Sequence, residues 1–241
     1  MNLYVASNAE DFAERSASFV RDRVNENPRL SLTLPTGSTP LGLYQSLRHD
    51  HDRGNFQLDR ASVFMLDEYL DLPTYPRGSF VEYLRAHLGD LVFNATTKRH
   101  TMVPDESDAF MSTYDRALDD VGGIDLAIVG VGRNGHVGFN EPGSHVSLRT
   151  HAVALSSDTL NDNFADVSEN ERPTRAVTVG MRDLLEARTV LMLISGRAKR
   201  DVTSLLIDER VDESIPATQL LTHADLHVLV TSDTVADRVS A

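Results

Sequence analysis

A strand-like stretch at Leu30–Leu34 is followed along the chain by five short apolar runs, Ser62–Leu66, Ile124–Val129, Ala176–Val179, Val190–Ile194 and Leu226–Val230. They are rich in Val, Ile and Leu, as strands buried on both faces are. Between most of them the pattern is that of a helix. Asn8 reads as the N-cap of a segment from Ala9 to about Asn25 that Pro28 closes, and Pro40 opens a second helix after the first strand. Ser107–Leu118 and Arg197–Ile207 read as two more. Strands alternating with helices predict an α/β fold, a largely parallel, Rossmann-like sheet with helices on both faces and right-handed crossovers. No repeat or low-complexity linker divides the chain, so one domain over residues 1–241 is expected, with the polar, poorly periodic Ser156–Pro173 as a mobile loop or lid. In such sheets ligands bind beyond the carboxyl ends of the strands, and the chemistry should follow them directly.

Composition narrows the choice. A formal charge of -13 and a pI near 5.0 leave no basic stripe to displace counterions from nucleic acid. The absence of cysteine removes disulfides, thiolate nucleophiles, thiolate zinc sites and iron–sulfur clusters together. Catalysis must use oxygen and nitrogen groups. No run approaches the length of a membrane span and Met1–Ala9 does not read as a signal segment, which predicts a cytoplasmic protein with no membrane partner. Lys98 and Lys199 are the sole lysines among 23 basic residues, so a lone lysine in the right place would be informative.

Three loops after strands carry candidate chemistry. In Leu34-Pro35-Thr36-Gly37-Ser38-Thr39-Pro40 a glycine and three hydroxyls precede a helix start, so backbone N–H groups backed by the positive helix end can hold an anion. The alternative is an ordinary turn with Thr39 as N-cap. The loop lacks the Gly-Lys-Ser/Thr ending of a nucleoside-triphosphate loop. In Leu66-Asp67-Glu68-Tyr69-Leu70-Asp71-Leu72 an acid emerging at a strand end faces the ligand crevice, where partial desolvation would make it a proton-transfer base. Asp67 and Glu68 could equally be capping or surface acids.

The third loop, Gly130-Val131-Gly132-Arg133-Asn134-Gly135-His136-Val137-Gly138-Phe139-Asn140-Glu141-Pro142-Gly143, satisfies the glycine spacing of a dinucleotide fingerprint. That reading fails because Gly138 and Pro142 break the helix the fingerprint must open and the motif sits mid-chain. Instead, a backbone this rich in glycine folds tightly around a small ligand and displays Asn134, His136 and Glu141. Histidine exchanges protons near neutral pH, and a nearby Glu or Asn fixes its tautomer. Zinc is not expected: a deaminase-type zinc site needs a cysteine pair, and His223 and His227 straddle a helix end and a strand start.

Taken together, Leu34–Pro40, Leu66–Leu72 and Gly130–Gly143 resemble the glucosamine-6-phosphate deaminase (isomerase) family. The similarity continues through Thr178-Val179-Gly180 to Ser195-Gly196-Arg197-Ala198-Lys199 and ends near Pro216–His223. The related 6-phosphogluconolactonases share the fold and the Gly-Ser-Thr-Pro loop, but Asp67-Glu68-Tyr69 and Phe139-Asn140-Glu141-Pro142 favour the deaminase. The resemblance implies that Gly37, Ser38, Thr39 and Lys199 hold a 6-phosphate. It implies further that His136, oriented by Glu141 and Asn134, assists ring opening, and that Asp67 carries the proton between C2 and C1. Neither cofactor nor metal is implied.

Some positions depart from the family. Asn134 stands where many members carry aspartate, and the Arg-Phe-Phe of some lids is not recognisable around Asn161–Ala165, which leaves Arg172 and Arg175 as candidate phosphate ligands. In relatives activated by N-acetylglucosamine 6-phosphate, an arginine and a lysine follow an Arg-Thr start. Here Arg149-Thr150 is followed by His151 and Val153, so that activation is not expected. The chain ends soon after its last strand, which points to a monomer or small homo-oligomer. The rival readings are a lactonase and a sugar-phosphate sensor without turnover.

Overall fold

Residues 1–72, 78–164 and 166–235 are described in the computed structural model, without the side chains of Asp158 and Asp162. After β1 (Asn2–Ala6), the extended Asn8 accepts the Asp11 N–H and starts α1 (Ala9–Glu26). A cap of this kind contributes about 1 kcal/mol. β2 (Ser31–Leu34), α2 (Leu41–Asp52), β3 (Ser62–Met65), β4 (Asp67–Tyr69) and α3 (Phe80–Leu88) follow. The middle of the chain forms β5 (Lys98–His100), α4 (Asp108–Asp120), β6 (Leu126–Gly130), β7 (His151–Ala154) and α5 (Ser157–Phe164). Last come β8 (Arg175–Thr178), α6 (Met181–Leu185), β9 (Thr189–Ile194), α7 (Arg200–Ile207), α8 (Pro216–Gln219) and β10 (Leu226–Thr231).

Seven strands make one sheet in the order β1-β10-β9-β6-β2-β3-β5, and every neighbouring pair is parallel. The α/β expectation with a largely parallel sheet is borne out. Every residue of β2, β3, β9 and β10 is buried, and their side chains merge with those of the surrounding helices into one apolar core. Burying each such Leu or Val contributes about 1.5–3 kcal/mol, which is why these strands were visible as apolar runs.

One strand belongs elsewhere. The run Ala176–Val179 corresponds to β8, which lies outside the parallel sheet in a three-stranded antiparallel one ordered β4-β8-β7. Its residues are apolar because Val177 and Val179 join the main core, while Ala176 belongs to a second core with Tyr69, Phe139 and Leu155. The helix expected from Arg197 begins as a 3-10 turn over Arg197–Lys199 and becomes α7 only at Arg200. Ser156–Pro173 contains α5 and a 3-10 turn at Glu169–Glu171, while Ala165 lies outside the described residues. Among the described residues no helix is long and apolar enough to cross a membrane.

The strand order sets the place of the site. From β2 the chain builds outward through β3 to β5, then returns to the other side of β2 with β6 and proceeds through β9 and β10. The strand order therefore reverses between β2 and β6, and at such a point the loops leaving adjacent strands diverge and open a crevice.

Candidate active site

At that reversal lies a cavity of about 830 Å³. Four strand ends contribute to its walls: Pro35–Thr39 after β2, Leu66 and Asp67 after β3, Gly130–Gly132 with His136 at the end of β6, and Ser195 with Lys199 after β9. Of the residues expected in the site, Gly37, Ser38, Thr39, Asp67, His136 and Lys199 all line this space. Asn134 and Glu141 do not line it; they stand behind His136.

Pro40 occupies the N-cap of α2 with no side-chain cap, and no acid lies in the first turn. Thr39 is therefore not the cap. Asn8, Ser79 and Ser107, by contrast, each cap a helix with a side chain, and of the segment leading into α2 it is Pro35–Thr39 that lines the cavity. Gly37 adopts φ 94°, a left-handed conformation that suits glycine. The loop is tied down by Tyr83, whose hydroxyl donates to Gly37 O at 2.5 Å, and by Tyr44, whose hydroxyl donates to Pro35 O. Lys199 is half-buried and lines the same cavity, whereas Lys98 is exposed on the edge strand β5. A loop entering a helix start and an ammonium in one cavity are suited to a dianion.

The two acids after β3 have separated roles. Glu68 is fully buried and accepts three backbone N–H groups, from Tyr69 at 2.9 Å, Phe80 at 3.0 Å and Val81 at 3.2 Å. It caps α3 from outside that helix, and burial holds its pKa up despite those bonds. Asp67 faces the cavity at 6% exposure, and its Oδ1 has no hydrogen-bond partner among the described residues. Burial first, and then the neighbouring Glu68 charge, push its carboxyl well above the usual aspartate range. A carboxylate desolvated by burial is a stronger base than one in water.

The loop after β6 folds back on itself through a Gly132 N–H bond to His136 O at 2.9 Å. A Cβ at Gly132 would lie 2.2 Å from His136 Cε1, and one at Gly138 would lie 2.7 Å from Thr178 Oγ1. These glycines make room for the protein's own side chains as much as for a ligand. Glu141 Oε2 accepts the Asn134 amide at 3.0 Å and lies 3.7 Å from His136 Nδ1, beyond hydrogen-bond distance. The Asn134 carbonyl accepts the His136 backbone N–H at 3.1 Å. Asparagine thus orients the glutamate and the loop by the same side chain. Thr178 joins this loop to the small sheet, accepting the Phe139 N–H at 3.1 Å, and Val179 N–H reaches Leu66 O at 2.9 Å.

Other sequence candidates lie away from the cavity. Arg172 donates to Val167 O at 2.8 Å and Arg175 pairs with Glu106; neither lines the site. The nitrogens of His223 and His227 are engaged with Ala187 O, Asp225 and Tyr4, so these rings are structural. Among the described residues no group of three or more His, Asp or Glu could hold a metal. Sequence reasoning did not assign Tyr69, Ser79, Glu82, Asn163 and Phe164 to the site, yet all line the cavity. The last two belong to α5, in the segment whose weak periodicity suggested only a lid.

The family described as glucosamine-6-phosphate isomerases/6-phosphogluconolactonase matches residues 5–229. A glucosamine-6-phosphate deaminase of Geobacillus sp. (strain WCH70) is 35% identical over 98% of this chain and 95% of its own. One from Clostridium perfringens (strain 13 / Type A) is 32% identical over 97% and 98%. Among solved structures, a monomeric glucosamine-6-phosphate deaminase superposes with a TM-score of 0.92 at 29% identity, covering 99% of this chain and 100% of that one. The 6-phosphogluconolactonase of Thermotoga maritima superposes at 0.73 with 19% identity, covering 95% and 98%, a likeness of fold alone.

Proposed function

The chain belongs to the glucosamine-6-phosphate isomerase/6-phosphogluconolactonase family, and from that premise we propose that it converts glucosamine 6-phosphate and water into fructose 6-phosphate and ammonia. The observation that carries this reading is the meeting, in one cavity, of the Gly37–Thr39 loop ahead of α2, a lysine, a desolvated carboxylate and a histidine backed by a glutamate. Deaminases similar over nearly the whole chain favour it over the lactonase.

In this mechanism Gly37, Ser38, Thr39 and Lys199 hold the 6-phosphate, the loop through N–H dipoles and the lysine as a point charge. His136 takes the proton of the anomeric hydroxyl and returns it to the ring oxygen as the pyranose opens, with Glu141 and Asn134 holding the loop that presents it. Asp67 removes the C2 proton, acidified by the adjacent carbonyl, and delivers it to C1 through an enolamine, while one amine proton passes to O1 and leaves a C1 hydroxyl. The resulting ketimine adds water at C2 and expels ammonia. The same reading has one domain over residues 1–241 with 156–173 as its lid, acting in the cytoplasm as a monomer or small homo-oligomer. It needs neither metal nor cofactor, because every proton transfer uses an organic group, and neither nucleic acid nor membrane is a partner.

The test is to incubate the purified protein with glucosamine 6-phosphate under excess chelator and to measure ammonia and fructose 6-phosphate together, with 6-phosphogluconolactone in parallel. Equimolar release of both products is expected. Hydrolysis of the lactone without ammonia release would select the lactonase, and loss of activity restored by added zinc or magnesium would reject the metal-free chemistry.

A further inference from the structure

Glu141 is held from two sides. Asn134 donates to Oε2, and the hydroxyl of Thr159 donates to Oε1 at 2.5 Å. Thr159 lies in the first turn of α5 and is 1% exposed. Ser156, just before that helix, accepts the Thr159 N–H at 3.2 Å and donates its own hydroxyl to Thr159 Oγ1 at 3.1 Å. A hydroxyl carries one proton, so with Ser156 supplying a donor to Thr159 Oγ1, the Thr159 proton is directed to the carboxylate. The other end of α5 forms the cavity wall: the Asn163 amide donates to the Tyr69 hydroxyl at 3.2 Å, and the Phe164 ring meets the Tyr69 ring edge-on at 5.2 Å. One short helix therefore touches the substrate space at one end and Glu141 at the other.

We infer that Thr159 is a positioning residue through which the seating of α5 sets the Glu141 carboxylate beside His136, an inference that rests on the deaminase reading above. With α5 seated, both oxygens of Glu141 have donors and the carboxylate cannot turn. With α5 displaced, Oε1 is left in a buried place without a donor, and the carboxylate rotates away from the His136 ring that it faces at 3.7 Å. Substrate that contacts Asn163 or Phe164 favours the seated helix and completes the histidine's environment in the same motion. The helix is thus coupled to the chemistry by one hydrogen bond rather than by covering the cavity alone.

The test compares Thr159→Val, which keeps the shape and removes the hydroxyl, with Thr159→Ser, which keeps the hydroxyl, using glucosamine 6-phosphate as substrate. Thr159→Val should lower kcat by a factor of roughly 10 to 100 with KM changed by less than about threefold, and Thr159→Ser should restore kcat to within about threefold of wild type. If Thr159→Val does not fold, Ser156→Ala makes the same test by releasing the direction of the Thr159 proton, and a fall in kcat with KM kept is again expected. Unchanged kcat in the folded variant, kcat and KM moving together, or Thr159→Ser as impaired as Thr159→Val would overturn the inference while leaving the deaminase reading standing. A wild-type protein that released no ammonia would overturn the deaminase reading and this inference with it.

Discussion

At the scale of single residues, the site is built by withholding partners from some groups and crowding others. Asp67 has a raised pKa because burial penalises its charge and Glu68 adds to that penalty. The sign for stability follows. Above the unfolded pKa the unfolded chain gives up this proton while the folded chain keeps it, so stability is lost as pH rises from that value toward the folded pKa and stays lost above it. Asp67→Asn should therefore lower turnover and solvent exchange at C2 by roughly a hundredfold or more. The same variant should raise Tm at neutral pH, by about 2–4 °C for each kcal/mol relieved, and the gap to wild type should close near pH 4 or below. A variant with no gain in Tm at neutral pH would show that the charge is not costly to the fold. Gly132 makes the complementary case, since a Cβ there would lie 2.2–2.4 Å from His136 ring atoms. The side chain that must give way is the His136 ring and not the backbone. Gly132→Ala is expected to lower kcat by a factor of roughly 10² while shifting Tm by no more than a few degrees, and kinetics together with a melting curve separate the two effects.

At the scale of elements, what could be read in advance was what the core demanded. β2, β3, β9 and β10 are buried throughout, so Val, Ile and Leu mark them in the sequence. β1 and β5 are the two edges of the large sheet, and most of their residues are exposed; Lys98-Arg99-His100 has no apolar signature to find. β7 is half-exposed and was hidden for the same reason. The site divides likewise. Asp67, His136 and the Gly37–Thr39 loop lie in segments that follow strands and are legible by position, Lys199 is legible only through the family resemblance, and Asn163 and Thr159 come from a short polar helix that reaches the site only through tertiary packing. Glu68 shows how one acid can organise an element far along the chain, because its three acceptor bonds include the first N–H groups of α3, 12 and 13 residues away. Glu68→Ala leaves those groups buried without acceptors and opens a void. It should cost about 2–4 kcal/mol and lower Tm by roughly 5–15 °C. Because α3 also carries Tyr83, which pins Gly37, KM for the phosphorylated sugar should rise in the folded fraction. Unchanged thermal stability would mean that Ser79 alone suffices to start α3.

At the scale of the whole molecule, the question is whether a second ligand can reach the site through the fold. The residues after Arg149-Thr150 are committed to structure. His151 Nδ1 bonds Arg149 O at 2.9 Å, and Val153 packs against the small core of Tyr69, Phe139, Leu155 and Ala176. Arg149 itself is enclosed by carboxylates, with Asp119 and Asp183 each at 2.9 Å and Asp115 at 3.8 Å, and its bonds to Asp119 lead the influences that hold its charge in place. An arginine so neutralised offers little to a phosphate, which would have to displace three acids that carry more charge than it brings. An effector moves an equilibrium only by binding one state better than another, so a surface that barely binds it drives no transition. Steady-state curves for glucosamine 6-phosphate should accordingly be hyperbolic. Millimolar-scale N-acetylglucosamine 6-phosphate should leave their shape unchanged and produce at most weak competition in the cavity. A sigmoidal curve that the acetylated sugar renders hyperbolic would show that Arg149 exchanges its carboxylates for phosphate after all. The informative control is then Asp119→Asn: by loosening the cage without touching the cavity, it should make any such activation stronger if Arg149 is the ligand and leave it unchanged if the effector binds elsewhere.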